Sequence, residues 1–303
     1  MSYKRYNTKD AFGSILFAAH LLLVLALAID RELDYTTCIE QMFVKGENEM
    51  RFVEIYFSPT GGTKKVSEIL SSVWDGDYEK VIIDLMTKED IWADMQLCSE
   101  DICLIALPSY GGRIPSITVE YLHKINGNGA KAILVAVYGN RHIDDTLVEM
   151  EDIAKASGFV VIAGIEAIAE HSIVRQFATG RPDEADKMEL EKFACQIKEK
   201  LENGNLTAPI LPGNRPYRVF NGACKPIVTD ECVACGLCAA ECPVLAIPEN
   251  NCRVTEIEKC ISCMHCISVC PQQARKIEEN ILEGLSAKLE PICSVRKNNV
   301  LYI

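Results

Sequence analysis

Positive charge is what this sequence has least to spare. Its 303 residues carry 31 Lys and Arg against 43 Asp and Glu, a formal net charge of −12. Nucleic-acid phosphates would be repelled, so no nucleic-acid partner is expected. Nucleotide signatures are missing too. No G-x4-G-K-[ST] loop occurs, and the glycine pair at Gly61-Gly62 is not a G-x-G-x-x-G fingerprint, which disfavours a P-loop NTPase and a dinucleotide fold. Disorder is excluded by ordinary globular composition, 49% apolar and 24% charged. Internal repetition is absent outside one short C-terminal stretch. The length leaves room for about two domains.

Cysteine, by contrast, is plentiful. Fifteen are present, which means either an oxidised secreted scaffold or metal ligation, and spacing decides between them. Cys232, Cys235, Cys238 and Cys242 follow C-x2-C-x2-C-x3-C, with Pro243 next. Cys260, Cys263, Cys266 and Cys270 repeat the spacing, with Pro271 next. Zinc sites favour C-x2-C pairs separated by longer loops, not four cysteines ending twice in Cys-Pro. Three thiolates at three-residue intervals let a tight loop wrap one cubane, and the fourth reaches the neighbouring cluster. One [4Fe-4S] cluster is therefore expected on Cys232, Cys235, Cys238 and Cys270, and a second on Cys260, Cys263, Cys266 and Cys242. Gly236 lets the backbone turn close to sulfur. The other seven cysteines, Cys38, Cys98, Cys103, Cys195, Cys224, Cys252 and Cys293, lack such spacing and read as small buried hydrophobes. His265 reads as a solvent-facing loop residue.

Five segments divide the chain. Residues 1–49 form an extension in which Lys4, Arg5 and Lys9 precede an uncharged, largely apolar run over 11–29. A signal peptide or membrane anchor fits the run formally, but the basic residues before it would send the cluster-binding part outward. The favoured reading is an extension dispensable to the fold, with the chain proper beginning at Met50 and a cytoplasmic location. Any membrane association would run through residues 11–29. Residues 50–203 alternate strand-like and helix-like segments, with strands at 52–57, 81–85, 102–107, 132–137 and 159–165. That alternation predicts a doubly wound α/β unit on a five-stranded parallel sheet. Residues 204–223, rich in Gly and Pro, are a linker ordered against its neighbours. Residues 224–275 are the small α+β cysteine module. Residues 276–303 are a helix and an apolar tail that docks.

Three turns fall at the carboxyl ends of strands, where open α/β sheets bind ligands. Ser58, Thr60, Gly61, Gly62 and Thr63 lie between the first strand and first helix. There, helix N–H groups and hydroxyls suit a monophosphate. Ser109, Tyr110, Gly111 and Gly112 follow the third strand, and Tyr138, Gly139 and Asn140 follow the fourth. Each of these pairs an aromatic ring with glycine, as a flat heterocycle requires. Arg113 and Arg141 are expected beside that ring.

Together these residues resemble a flavodoxin joined to a bacterial-type two-cluster ferredoxin, and their order is similar to the fused flavodoxin–ferredoxin proteins of anaerobic bacteria. The resemblance covers residues 50–303. It implies FMN, with its phosphate at 58–63 and its ring between the two later loops, plus two [4Fe-4S] clusters. It also implies a function in electron transfer, relaying electrons between the clusters and FMN for redox protein partners. The alternative is an FMN-dependent reductase of a small-molecule acceptor. Arg141, His142, Glu170, His171 and Arg181 would then surround the acceptor, with His171 as candidate proton donor. The plainer reading makes Glu170-His171-Ser172 and Arg181–Asp183 structural turns.

Overall fold

A computed structural model describes residues 50–87, 95–220 and 224–303. The apolar run at 11–29 and Cys38 lie outside the described residues. Strand β1 (Arg51–Tyr56) opens the sheet and is followed by helix α1 (Gly62–Ser71). Then come β2 (Glu79–Asp84), β3 (Ile102–Pro108), α2 (Ser116–Lys124), β4 (Lys131–Tyr138), α3 (Thr146–Ala156), β5 (Val160–Ile168) and α4 (Glu184–Glu202). The strands pair in the order β2-β1-β3-β4-β5, all parallel. That is the flavodoxin-like doubly wound order, whose ligand crevice lies where the winding reverses, between β1 and β3.

Burial explains why these segments are strands. Every residue of β3 is buried, as is all of β4 after Lys131, so their continuous apolar runs face helices on both sides. One layer packs Leu122, Leu147 and Ile153 from α2 and α3 against Ile55, Ile105 and Leu134. The opposite layer packs Val66, Leu70, Leu190 and Ile197 from α1 and α4 against Leu104, Ile133 and Ile165. Helix α4 starts with a capping box, the Asp183 carboxylate accepting from the Asp186 N–H while Asp186 accepts from the Asp183 N–H. Asp145, at the start of α3, does not cap it with its side chain. It accepts from the main chain of Asn214 at 2.8 Å and Arg218 at 2.7 Å, which straps the linker to the α/β unit.

The sheet has one strand more than the expected five. The apolar tail forms β8 (Val300–Tyr302), antiparallel to β5, with the Tyr302 hydroxyl donating to Glu166 at 2.6 Å. Between α4 and the tail stand a two-stranded ribbon, β6 (Ile227–Val228) with β7 (Arg275–Lys276), and two single-turn helices. These are α5 (Leu237–Ala240) and α6 (His265–Ser268); α7 (Glu279–Cys293) follows. Residues 50–303 gather into one compact unit. Among the described residues no helix is long and apolar enough to cross a membrane.

Candidate cofactor sites

Turn 58–63 is shaped by one left-handed residue. Gly61, at φ 85°, is the N-cap of α1, a conformation open to glycine at little cost. The Lys64 N–H donates to Ser58 Oγ at 2.9 Å, which fixes the serine hydroxyl at the helix start. A Cβ on Gly62 would sit 3.0 Å from the Cβ of Ala169, so the backbone here lies directly against the end of β5. The turn after β3 is closed by reciprocal main-chain bonds between Tyr110 and Arg113 at 2.8 and 3.3 Å. Its two glycines are left-handed, and a Cβ on Gly112 would come within 2.2 Å of the Asp144 carboxylate. After β4, Gly139 lies so close to His171 that an added Cβ would approach its Cα to 2.7 Å.

The structure brings the three turns together. Thr60, Gly62, Thr63, Ser109, Tyr110, Tyr138 and Gly139 line a single narrow slot. Beyond it opens a cavity of about 260 Å³ between Tyr110, Tyr138, Gly139 and His171 on one side and Phe220, Ile261 and Ser262 on the other. Two expected neighbours of the ring are turned away. The Arg113 guanidinium holds Glu149 at 2.6 and 2.8 Å and lies over the Tyr217 ring, because an acidic partner on α3 satisfies it better than an open cavity. Asn140 is buried, and its amide is committed to the C-terminal segment. It donates to the carbonyls of Cys293 at 2.7 Å and Val295 at 2.8 Å, so only its backbone is left to the ring loop. Arg141 lines the cavity but is paired with Asp144.

His171 also lines the cavity, but not as a cation. Its Nδ1 accepts from the N–H groups of Ile173 at 3.2 Å and Val174 at 3.1 Å. Burial first, and the nearby Arg141 second, push its pKa down to about 4. The imidazole is thus neutral near pH 7, with its proton on Nε2. Glu170 caps the same loop, accepting from the Gly180 N–H and pairing with Arg175. Arg181 is buried with Asp186. These contacts follow the plainer, structural reading of that polar group.

In the cysteine module the two motifs fold alike. Ala234, Gly236 and Leu245 have φ of 56°, 80° and 51°, and their counterparts Ser262, Met264 and Gln273 have 58°, 64° and 50°. The N–H of Ala246 donates to Cys242 Sγ at 3.3 Å, and that of Ala274 to Cys270 Sγ at 3.3 Å. Cys232, Cys235, Cys238 and Cys270 line one small cavity, although the last comes from the other motif. Cys260 and Cys266 pack against the small core that contains Cys242. Burial pushes the thiol of Cys263 up to about 12 and that of Cys266 to about 11, with Cys260 and Cys242 adding to both. Crowded, buried thiols of this kind ionise readily only when a metal takes the proton's place.

The motifs differ in what they face. Val233, Ala234, Cys235 and Leu237 are exposed, whereas Ser262, Cys263 and Met264 are buried and Ile261 packs on the α/β core. His265, expected in solvent, lies on α6 with Nδ1 2.6 Å from the Pro59 carbonyl, so the second motif docks on the turn 58–63. Of the remaining cysteines, Cys103, Cys224, Cys252 and Cys293 are buried as expected, Cys98 is half-buried, and Cys195 is exposed on α4. A signal for the docking residues exists in the sequence, where the second motif reads C-I-S-C-M-H-C against C-V-A-C-G-L-C in the first. The substituted positions are those turned toward the α/β unit.

Residues 225–247 and 254–276 match the family described as the 4Fe-4S binding domain. A stretch of 23 residues, 8% of this chain, is 74% identical to a ferredoxin of Thermoanaerobacterium thermosaccharolyticum and spans 42% of that protein's length. Among solved structures, a flavodoxin from the domain Archaea is similar over 50% of this chain and 99% of its own, with 14% identity and a TM-score of 0.38. A flavodoxin of Streptococcus pneumoniae TIGR4 covers 50% of this chain and 99% of its own, at 18% identity and a TM-score of 0.37. Rubredoxin oxygen:oxidoreductase of Desulfovibrio gigas covers 57% and 41%, at 15% identity and a TM-score of 0.40. A flavodoxin-like α/β unit, defined by its strand order, thus stands on one chain with a 4Fe-4S binding domain.

Proposed function

We propose that this chain is an electron-transfer protein carrying FMN and two [4Fe-4S] clusters, and that it relays electrons between them. The observation that carries the reading is the junction itself: the second cysteine motif forms one wall of the cavity whose other wall is Tyr110, Tyr138 and Gly139. The residues fit a bound flavin. Turn 58–63 offers hydroxyls and helix N–H groups to a phosphate, and Gly62 and Gly139 are cradles that a Cβ would fill. Cys232, Cys235, Cys238 and Cys270 would hold one cluster, and Cys260, Cys263, Cys266 and Cys242 the other. Each cluster supplies one electron at a time and the flavin stores two, so the pairing converts single-electron into paired-electron traffic.

The chain's own part is to place the carriers and exclude water. His265 and Ile261 seat the second motif on the α/β unit, and the Asp145 strap holds the linker down. Redox protein partners would meet the first motif, where Cys235 is exposed. A reductase acting on a small acceptor needs a proton donor at the ring, and a neutral His171 is poorly suited to that role.

The test is anaerobic. Reconstituted protein should hold about eight irons and eight acid-labile sulfides together with one FMN. Flash reduction of the clusters by a low-potential donor should bleach the flavin at a rate independent of protein concentration. Tight binding of two zincs without cluster absorption would remove the iron–sulfur assignment. A bleaching rate that scales with protein concentration would remove the relay.

A further inference from the structure

We infer that Ser262, a residue of the cysteine module, is part of the flavin site, its hydroxyl donating a hydrogen bond to the edge of the ring. The inference rests on the FMN reading above and adds a ligand-binding residue from the other module. Ser262 is 7% exposed, and its Oγ has no hydrogen-bond partner among the described residues. A buried hydroxyl left unpaired is destabilising and is found rarely in native proteins. It lines the same cavity as Tyr110, Tyr138 and His171.

Three other polar groups around that cavity are already engaged. Ser109 Oγ shares a hydrogen bond with Thr146 at 2.7 Å. His171 Nδ1 takes two main-chain N–H groups, and Arg141 is held by Asp144. Ser262 is therefore a buried donor without an acceptor on a cavity that also presents the rings of Tyr110, Tyr138 and Phe220. A flat heterocycle with carbonyl oxygens and ring nitrogens at its edge matches those demands.

The position also has a reason in the repeat. Ala234 stands at the equivalent place in the first motif and is exposed; it has no hydroxyl to offer. Ser262 adjoins Cys263, an expected ligand of the second motif, and lines the cavity together with Tyr110. The group held by Cys260, Cys263, Cys266 and Cys242 is consequently the one next to the ring, and the group on Cys232, Cys235, Cys238 and Cys270 is the outer one.

The full chain, loaded with iron and sulfide under anaerobic conditions, is titrated with FMN and with riboflavin by fluorescence quenching. The variants are Ser262→Ala and, as a control for the phosphate turn, Thr60→Ala. Loss of a contact to the ring should weaken FMN and riboflavin alike, by about five- to tenfold in Ser262→Ala. Thr60→Ala should weaken FMN alone. If Ser262→Ala loses iron, Ser262→Gly carries the same comparison, since glycine suits φ 58° without strain. Unchanged affinity for both flavins in an iron-replete Ser262 variant overturns the inference and leaves the FMN reading intact if Thr60→Ala still weakens FMN. An effect on FMN without one on riboflavin also overturns it. Failure of the unaltered protein to bind either flavin overturns the FMN reading itself.

Discussion

The two halves of residues 50–303 hold themselves together by different means. The α/β unit buries whole strands: β3 is enclosed along its length, and apolar side chains from four helices cover both faces of the sheet. The cysteine module has a core of Cys238, Ala239, Cys242, Ala246, Ile247 and Cys252. Two of those six, Cys238 and Cys242, are expected metal ligands, so a core this small shares its side chains with the metal sites. A sheet stabilised by burial can exist as an empty receptor waiting for its cofactor. A module with so small a core, part of it ligands, gains much of its folding energy from the metal.

The largest consequence follows directly. Removing iron with a chelator under anaerobic conditions should unfold residues 224–275 while the sheet persists. Hydrogen exchange should show protection lost at Cys232–Ala246 and Cys260–Ala274 and kept along β1, β3 and β4. Continued protection of the cysteine loops in iron-free protein would show that the module has a self-sufficient core, and the contrast between the halves would fall.

A smaller effect sharpens the other side of the contrast. The α/β unit includes one charged pair as deeply buried as its apolar residues, Arg181 with Asp186, whose side chains are 4% and 1% exposed. Burial works to raise the Asp186 pKa, but the Arg181 hydrogen bond and charge, with the Asp183 N–H and Asn299, hold it below the usual range. Asp186 also accepts from Asn299, whose own Oδ1 takes the Ile168 N–H at 2.8 Å, so the pair anchors the C-terminal tail beside β5. Asp186→Ala should cost about 3–5 kcal/mol by leaving a buried guanidinium unpaired. Joint replacement by Met and Leu should recover most of that loss. Urea melts of both variants, followed by far-ultraviolet dichroism, measure it; a cost below about 1 kcal/mol for Asp186→Ala would mean that water reaches Arg181.

What could be read from sequence follows the same division. Apolar runs at 102–107 and 132–137 announced the central strands because a strand buried on both faces has no polar alternation to confuse it. The cysteine motifs announced their chemistry because ligand spacing is local. Contacts made across long sequence distances were harder. Nothing near Asn140 says that its amide serves the main chain of Cys293 and Val295, and nothing near Arg113 says that Glu149 will claim it. The tail at 300–302 has the apolar character to dock, but not a signal for which edge it joins. The docking face of the second motif was legible in principle, from the Ser, Met and His that replace Ala, Gly and Leu. Its meaning requires knowing which motif meets the α/β unit.

The smallest effect concerns pH, and it separates the halves by a different route. The folded α/β unit keeps His171 neutral down to about pH 4, whereas an unfolded histidine titrates near 6.5. Between those values the unfolded chain binds a proton that the folded chain does not. Stability therefore rises with pH through this window, is complete above about 6.5, and is lost as pH falls toward 4. The loss amounts to on the order of 3 kcal/mol at most. His171→Asn keeps a side-chain oxygen that can accept from the N–H groups of Ile173 and Val174, but it carries no titrating ring. Urea midpoints at pH 7.5, 5.5 and 4.5 should fall more steeply in the unaltered protein than in His171→Asn, and the difference between the two curves isolates this group from the carboxylates. Because His171 belongs to the half that folds by burial, the difference should survive chelation of the iron. Parallel curves would mean that the imidazole is already solvated in the folded state. A difference that disappears with the iron would place its origin in the docked cysteine module, whose Ser262 shares the cavity with His171.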